Sequence, residues 1–348
     1  ALPDLADAIR PRPAPAVWGE TMLEYRPYGV VLGWHAANSP VWVPTLVVLS
    51  ALVAGNAVIS RPSTRAAATT SLVLEALEAP WPADAIVRCE LPGPEAEPLV
   101  WHPGVNAVVT HGSSETCKRQ LAGLGDAYRR GATLRPFIPE GSGNDAMLIL
   151  AGADLPRAAD AVALAAFANG GQLCMAAKRI IVESGVWEEF RPLLLAATGD
   201  LVTGPAADRE TDVAPLPDGP ARTLAVARIA EACAAGGEVI VGGPSSHAAL
   251  RPTLIQLPRA ALGVELWTEE TFAPVRGLTI ARDEDDAIAL ANDSRFALGA
   301  AVFGGTPGIE SQLRAARVVV GESALYQDPH LVVGGVGDSG LAGARPKL

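Results

Sequence analysis

Residues 29–60 read GVVLGWHAANSPVWVPTLVVLSALVAGNAVIS, a run apolar enough over Val41–Ile59 to suggest a membrane span. Pro44, Thr45, Ser50, Gly55 and Asn56 interrupt it, and it divides better into two elements. Pro40 suits the first turn of a helix behind the polar pair Asn38-Ser39, where its missing N–H costs nothing, and Gly55-Asn56 offers the left-handed stop that ends a helix. The flanking runs Gly29–Trp34 and Ala57–Ser60 have strand length and strand composition. A strand, an apolar helix and a second strand in this order make a β-α-β unit, and helices and strands this apolar belong to a parallel sheet covered on both faces.

The same rhythm continues. Ala85–Cys89, Asn106–Thr110 and Met147–Leu150 are short apolar runs with helix-length Ala/Leu-rich segments between most of them. From about Asn144 a second series follows: a helix near Leu155–Phe167, a strand at Arg179–Val182, a helix at Ala221–Ala234, strands at Val239–Val241 and Val275–Ile280, and a helix at Glu284–Asn292. The expected class is α/β with parallel sheets and crossover helices. With 348 residues, 49% hydrophobic, the chain is long enough for two domains rather than one. The Pro11–Pro15 segment reads as a linker, and no internal repeat is evident.

The formal net charge is -11, without any Lys/Arg block, which argues against nucleic acid or an anionic membrane as partner and leaves small molecules. Four scattered cysteines make no disulfide framework, no secretory signal opens the chain, and a reducing, cytoplasmic compartment is expected. The five histidines are dispersed, none at ligand spacing from a cysteine or carboxylate, so no metal site is expected.

One cysteine stands apart. Phe167 to Arg179 reads FANGGQLCMAAKR, which sets Cys174 in a glycine-glutamine turn just beyond a helix, as a presented nucleophile would be. Cys89, Cys117 and Cys233 have no such company and read as buried structural thiols. Gly335 to Gly340, GVGDSG, matches a dinucleotide fingerprint, yet only eight residues follow it, too few for the helix, strand and acid that give the fingerprint meaning.

Several blocks in order resemble the aldehyde dehydrogenase superfamily from about Glu24 to Gly340. Tyr28 to Pro40 with Ala54 to Ser63 resembles the segment where an Asn-x-Pro turn follows the first strand and Ala-Gly-Asn leads to a Lys-Pro-Ser cofactor site. Gly112-Ser113-Ser114-Glu115-Thr116 resembles the Gly-Ser-Thr turn, Glu140 to Asn144 the Glu-Leu-Gly-Gly-Lys, and Glu269 to Pro274 the Glu-Glu-x-Phe-Gly-Pro. Glu140 precedes Cys174 by 34 residues and Glu270 follows it by 96, which suits the family. Each block alone has a plainer reading: Asn38 as a helix cap, Glu140 as a surface carboxylate, Phe272 as core packing.

The resemblance implies a Rossmann-like NAD(P) domain over residues 1–143, a catalytic α/β domain over 144–340 and a short tail at 341–348. It also implies oxidation of an aldehyde to a carboxylic acid. Cys174 would form a thiohemiacetal whose oxyanion meets the Asn38 amide and the Cys174 backbone N–H, and Glu140 would activate the water that hydrolyses the thioester. Arg61, Ser63, Thr64, Gly112, Ser113, Glu270 and Phe272 would hold the cofactor. Arg61 stands where lysine is usual, and Thr64 where a glutamate often repels a 2′-phosphate, which tilts NADP slightly ahead of NAD. His35-Ala36-Ala37 replaces the usual bulky residues before Asn38 and would reshape the pocket. Two alternatives stay open: reduction of a CoA or carrier-protein thioester through the same cysteine, and a non-catalytic interaction protein of the same fold. The oligomeric state is not read from the sequence.

Overall fold

The structure, a computed structural model, describes residues 6–15, 19–217, 219–243, 249–327 and 334–341. The chain divides into two compact units, Ala1–Gly141 and Ser142–Leu348. All but the first residue of the expected 341–348 tail lies outside the described residues.

In the first unit five strands form one parallel sheet in the order Ile86–Arg88, Ala57–Arg61, Val30–Trp34, Ala107–His111, Phe137–Glu140. The chain starts in the middle, builds to one edge and returns to build the other. The reversal falls between Val30–Trp34 and Ala107–His111, and the crevice outside the carboxyl ends at such a reversal is where open α/β sheets take ligands. Val31, Val48 and Val58 pack on one face, and Leu32, Val100 and Val108 on the other, so successive residues of the first strand serve opposite cores. The expected linker corrects to a short strand in part, since Arg12–Pro13 pairs antiparallel with Met22–Leu23.

The first long helix runs Trp42–Val53 with Val41 as N-cap, so Pro44 rather than Pro40 occupies its first turn. Pro44 is tolerated there because that N–H has no intrahelical acceptor. Pro40 lies ahead of the helix, its carbonyl accepting from Thr70 Oγ1 at 3.1 Å. Gly55 at φ +84° ends the segment. Asn56 then does more than stop a helix: its Oδ1 accepts from the Tyr28 and Gly29 N–H groups at 2.7 and 3.1 Å, tying the start of the first strand to the turn. Among the described residues no helix is long and apolar enough to cross a membrane.

The second unit holds a seven-stranded sheet in the order Glu238–Val241, Thr253–Gln256, Val275–Ala281, Ala177–Glu183, Asp145–Ile149, Gly299–Phe303, Arg317–Val320, parallel except for its first pair. Helices Leu155–Phe167, Ser184–Gly199, Gly219–Ala234 and Glu284–Asn292 accompany it. Leu148, Ile181 and Val302 face one core, Met147, Ile180 and Ala301 the other. Strands buried on both faces explain why the sequence shows continuous apolar runs instead of alternation. Val336–Gly337, within the fingerprint-like loop, pairs with Phe296–Ala297, and the fully buried Ser339 accepts from the Ala297 N–H through its hydroxyl.

Candidate active site

Four polar side chains sit at the carboxyl ends of the first unit's strands: His35 just after Val30–Trp34, Arg61 ending the second strand, and His111 and Glu140 ending the two that pair beside it. Pleating brings His111 and Glu140 directly opposite each other in the ladder. Burial pushes the Glu140 carboxyl up to about 7, a value suited to a base working near neutrality. Its charge also helps burial to push the Cys117 thiol up to about 11, which keeps that thiol protonated and inert.

His35 is not a pocket residue. It is 1% exposed, its Nε2 lies 3.0 Å from Ser60 Oγ, and burial, helped by His111 and Arg61, pushes the imidazole down to about 3. Gly33 makes the room, because a Cβ there would stand 2.7 Å from His35 Cε1. Burial likewise takes His111 down to about 4. The Nδ1 atoms of both rings are buried without a hydrogen-bond partner.

Arg61 is also buried. Its guanidinium stacks 4.2 Å over the Trp34 ring and its Nε donates to Leu91 O at 3.3 Å, while burial lowers its pKa. Ser63 precedes the 3₁₀ turn Thr64–Ala66, whose Thr64 and Arg65 are exposed. The neighbouring Arg65 is exposed, whereas Arg61 is buried. Ser113 N-caps Ser114–Arg129, its Oγ accepting from Thr116 N–H at 3.2 Å, and the Gly112 N–H donates to Glu140 O at 3.0 Å. Asn38 lies in the turn between the first strand and the helix Trp42–Val53.

In the second unit the Cys174 loop is built by three successive left-handed residues, Asn169 (φ 53°), Gly170 (φ 62°) and Gly171 (φ 71°). Glycine takes this conformation without strain and asparagine tolerates it better than most residues, and the run turns the chain sharply out of the preceding helix. Gln172 Nε2 donates to Asn169 O at 3.0 Å and closes the turn. Gly171 could carry no side chain in any case, since a Cβ there would collide with Arg276 and the Ala273 carbonyl. Arg276 is fully buried and donates to the carbonyls of Ala166, Gly171, Thr271, Ala273 and Val275, fastening the loop to the strand Val275–Ala281.

Cys174 is partly exposed. The ammonium of the buried Lys178 donates to Leu173 O at 2.8 Å and Cys174 O at 2.7 Å and stands 3.4 Å from Glu270 Oε1, which also accepts the Gly143 N–H at 3.0 Å. Arg228 donates to the Glu270 carbonyl at 2.6 Å. Phe272 follows on the same segment and is half-buried. Cys174 and Glu270 are thus joined through one lysine, a residue present in the quoted sequence but not singled out there. The expectation of three buried structural cysteines is corrected in part: Cys117 is buried, Cys89 is intermediate and Cys233 is exposed on the helix Gly219–Ala234, and none of the four is in a disulfide. Among the described residues no group of three or more His, Cys, Asp or Glu side chains could hold a metal ion.

The sequence profile of the aldehyde dehydrogenase family matches residues 5–347. Vanillin dehydrogenase of Pseudomonas fluorescens is 31% identical over 324 residues, covering 90% of this chain and 66% of the relative. Succinate-semialdehyde dehydrogenase [NADP(+)] of Deinococcus radiodurans is 32% identical over 300 residues, covering 85% and 61%. Among solved structures, the aldehyde dehydrogenase KauB from Pseudomonas aeruginosa superimposes with a TM-score of 0.89 at 25% identity, over 98% of this chain and 70% of that one. The chain spans under two thirds of the length of the two curated relatives.

Proposed function

Because this chain belongs to the aldehyde dehydrogenase family, we propose that it oxidises an aldehyde to a carboxylic acid with NADP or NAD, using Cys174 as nucleophile. The observation that carries this reading is the Cys174 turn, partly exposed and set by the left-handed run Asn169-Gly170-Gly171. The Cys174 thiolate adds to the aldehyde carbon, and the oxyanion so formed takes hydrogen bonds from the Asn38 side-chain amide and the Cys174 N–H. Losing one such donor typically costs roughly 10²–10³ in rate.

A nicotinamide cofactor, held by the Arg61, Ser63, Thr64, Gly112, Ser113, Glu270 and Phe272 set, would supply the hydride acceptor, and loss of hydride from the thiohemiacetal carbon would leave a thioester on Cys174. Glu140 takes a proton from the water that attacks the thioester, and the thiolate departs as leaving group. A carboxyl near 7 supports this role, since it is substantially ionised at neutral pH yet basic enough to accept the proton. A poised base also favours hydrolysis over transfer to a thiol.

The residues of the first unit suit a dinucleotide. Parallel strands reverse beside His35 and His111, the Gly112-Ser113 turn opens a 16-residue helix whose N-terminal end favours phosphate, and the exposed Arg65 and Thr64 leave room for a 2′-phosphate. Ser63 belongs to the same ribose-side segment. Glu270 would accept from the nicotinamide ribose, with Phe272 against that end of the cofactor. We read 1–143 as the cofactor domain and 144–340 as the catalytic domain, and a reducing cytoplasmic setting suits a mechanism that needs Cys174 as a free thiol.

The test is reduced-cofactor formation with a panel of aliphatic and aromatic aldehydes, for wild type and Cys174→Ala, with each cofactor. Turnover that disappears in the variant supports the proposal. A folded wild type that oxidises no aldehyde overturns it.

A further inference from the structure

The strand Ala177–Glu183 begins irregularly. Ala177 pairs with Asp145 and Arg179 with Ala146, so Lys178 is the extra residue of a bulge. A bulge re-aims the side chain of the residue it leaves out, and bulges gather beside active sites for that reason. Here the extra side chain is a lysine only 1% exposed, an expensive choice unless its charge is used.

The ammonium donates to the Leu173 and Cys174 carbonyls and forms an ion pair with Glu270 Oε1 at 3.4 Å. The Glu270 carboxylate is held from a second side by the Gly143 N–H. Gly143 itself lies so close to the Cys174 peptide that a Cβ would stand 3.1 Å from the Cys174 carbonyl carbon and nearer still to its oxygen. Burial is the largest influence and lowers the Lys178 pKa, with Arg276 acting the same way, while Glu270, Asp145 and Cys174 favour the ammonium form.

We propose that Lys178 is a positioning residue of the site, holding the Cys174 peptide and the Glu270 carboxylate in one arrangement through a single ammonium. It rests on the reading of Cys174 as nucleophile and Glu270 as ribose acceptor. Two consequences follow from one contact set. The Leu173–Cys174 peptide, whose N–H is to meet the oxyanion, cannot rotate without breaking the Lys178 bond to the Leu173 carbonyl. The Glu270 carboxylate keeps one oxygen on Lys178 and Gly143, which leaves its other oxygen for the ribose. The positive charge also favours the thiolate of Cys174 in the absence of cofactor.

The experiment uses the full chain as wild type, Lys178→Met, Lys178→Arg, Glu270→Gln and the double variant Lys178→Met/Glu270→Gln. The first readout is the rate of iodoacetamide alkylation at Cys174 against pH, located by peptide mapping, with no cofactor or aldehyde present. Lys178→Met is expected to raise the midpoint by about one unit and slow alkylation at neutral pH about tenfold, whereas Lys178→Arg keeps the midpoint. The second readout is the KM for NADP. It rises about tenfold in Lys178→Met and no further in the double variant, because residues acting as one unit are not additive.

A lysine that only stabilises the fold would lower the melting temperature and leave the alkylation midpoint in place. An unchanged midpoint in folded Lys178→Met, or additive KM effects, overturns the inference. Should Lys178→Met fail to fold, Lys178→Arg carries the test: it lacks the compact three-donor head, so KM rises, and a wild-type KM overturns the inference. Failure of the underlying reading looks different, since wild-type Cys174 would then react no faster than the other cysteines.

Discussion

Acid should weaken the first unit through His35, and the size of the effect follows from its burial. The imidazole has an ordinary value of 6.5 and stands at about 3 in the fold, because burial dominates and His111 and Arg61 add to it. The unfolded chain therefore binds the proton more readily over that window. Stability from His35 is fully present above pH 6.5 and is lost as pH falls toward 3. Integrating the linkage gives a loss of about 2 kcal/mol by about pH 5 and about 5 kcal/mol below the folded value. His111, at about 4, loses stability in the same direction. Glu140 runs the other way: raised to about 7, it stabilises the fold as pH falls from 7 toward 4.5 and offsets part of the loss.

The assay is urea unfolding followed by tryptophan fluorescence at about pH 7.5 and about pH 5 for wild type, His35→Leu and Glu140→Gln. His35→Leu should show a pH-dependent loss smaller than wild type by about 2 kcal/mol, and Glu140→Gln a larger loss than wild type. Equal losses in wild type and His35→Leu would refute the claim that His35 is buried neutral against Ser60.

Three further outcomes are expected. Gly143→Ala must displace the Cys174 peptide, and a shift of about 1 Å at a reacting group costs on the order of 10²-fold in kcat/KM; steady-state kinetics within twofold of wild type would contradict this. Arg276→Met removes the guanidinium donors of the carbonyls at Gly171 and Thr271, so the denaturation midpoint should fall with a loss on the order of 3–5 kcal/mol; a loss below about 1 kcal/mol would show that the loop does not depend on Arg276. Thr64→Glu places a carboxylate on the exposed turn, and kcat/KM for NADP relative to NAD should drop by about tenfold or more; an unaltered ratio would remove Thr64 from the cofactor site.

The α/β rhythm was legible because strands covered on both faces must be short and apolar, and Val30–Trp34, Ala57–Arg61 and Val275–Ala281 lie within a residue or so of where their apolar runs stand. Strands without that signature escaped. Phe137–Glu140 contains Pro139, which an edge strand accepts and a central one does not. Thr253–Gln256 has only four residues, and Gly299–Phe303 is rich in alanine, which has no strand preference to advertise. The Cys174 turn could be read because its glycines announce left-handed backbone.

The supports behind that turn were hidden for a different reason. Lys178 gains its role from a bulge, a matter of register between two strands, and a single strand's sequence holds no register. His35 looked like a pocket residue because only the absence of a side chain at Gly33, two positions earlier on the same face, lets the ring turn inward. Arg61 and Arg276 are buried cations accepted by an aromatic ring and by backbone carbonyls from distant segments. Such partners are assembled by tertiary structure alone.

The central claim is that Cys174 carries the acyl group and Glu140 releases it. The most direct measurement is mass spectrometry of rapidly quenched Glu140→Gln after mixing with an oxidisable aldehyde and cofactor. The account predicts about one equivalent of reduced cofactor in a burst and a matching acyl mass increment on the Cys174 peptide, since an uncatalysed thioester should accumulate. Steady turnover without any adduct, or an adduct on Cys89, Cys117 or Cys233 instead, would contradict it.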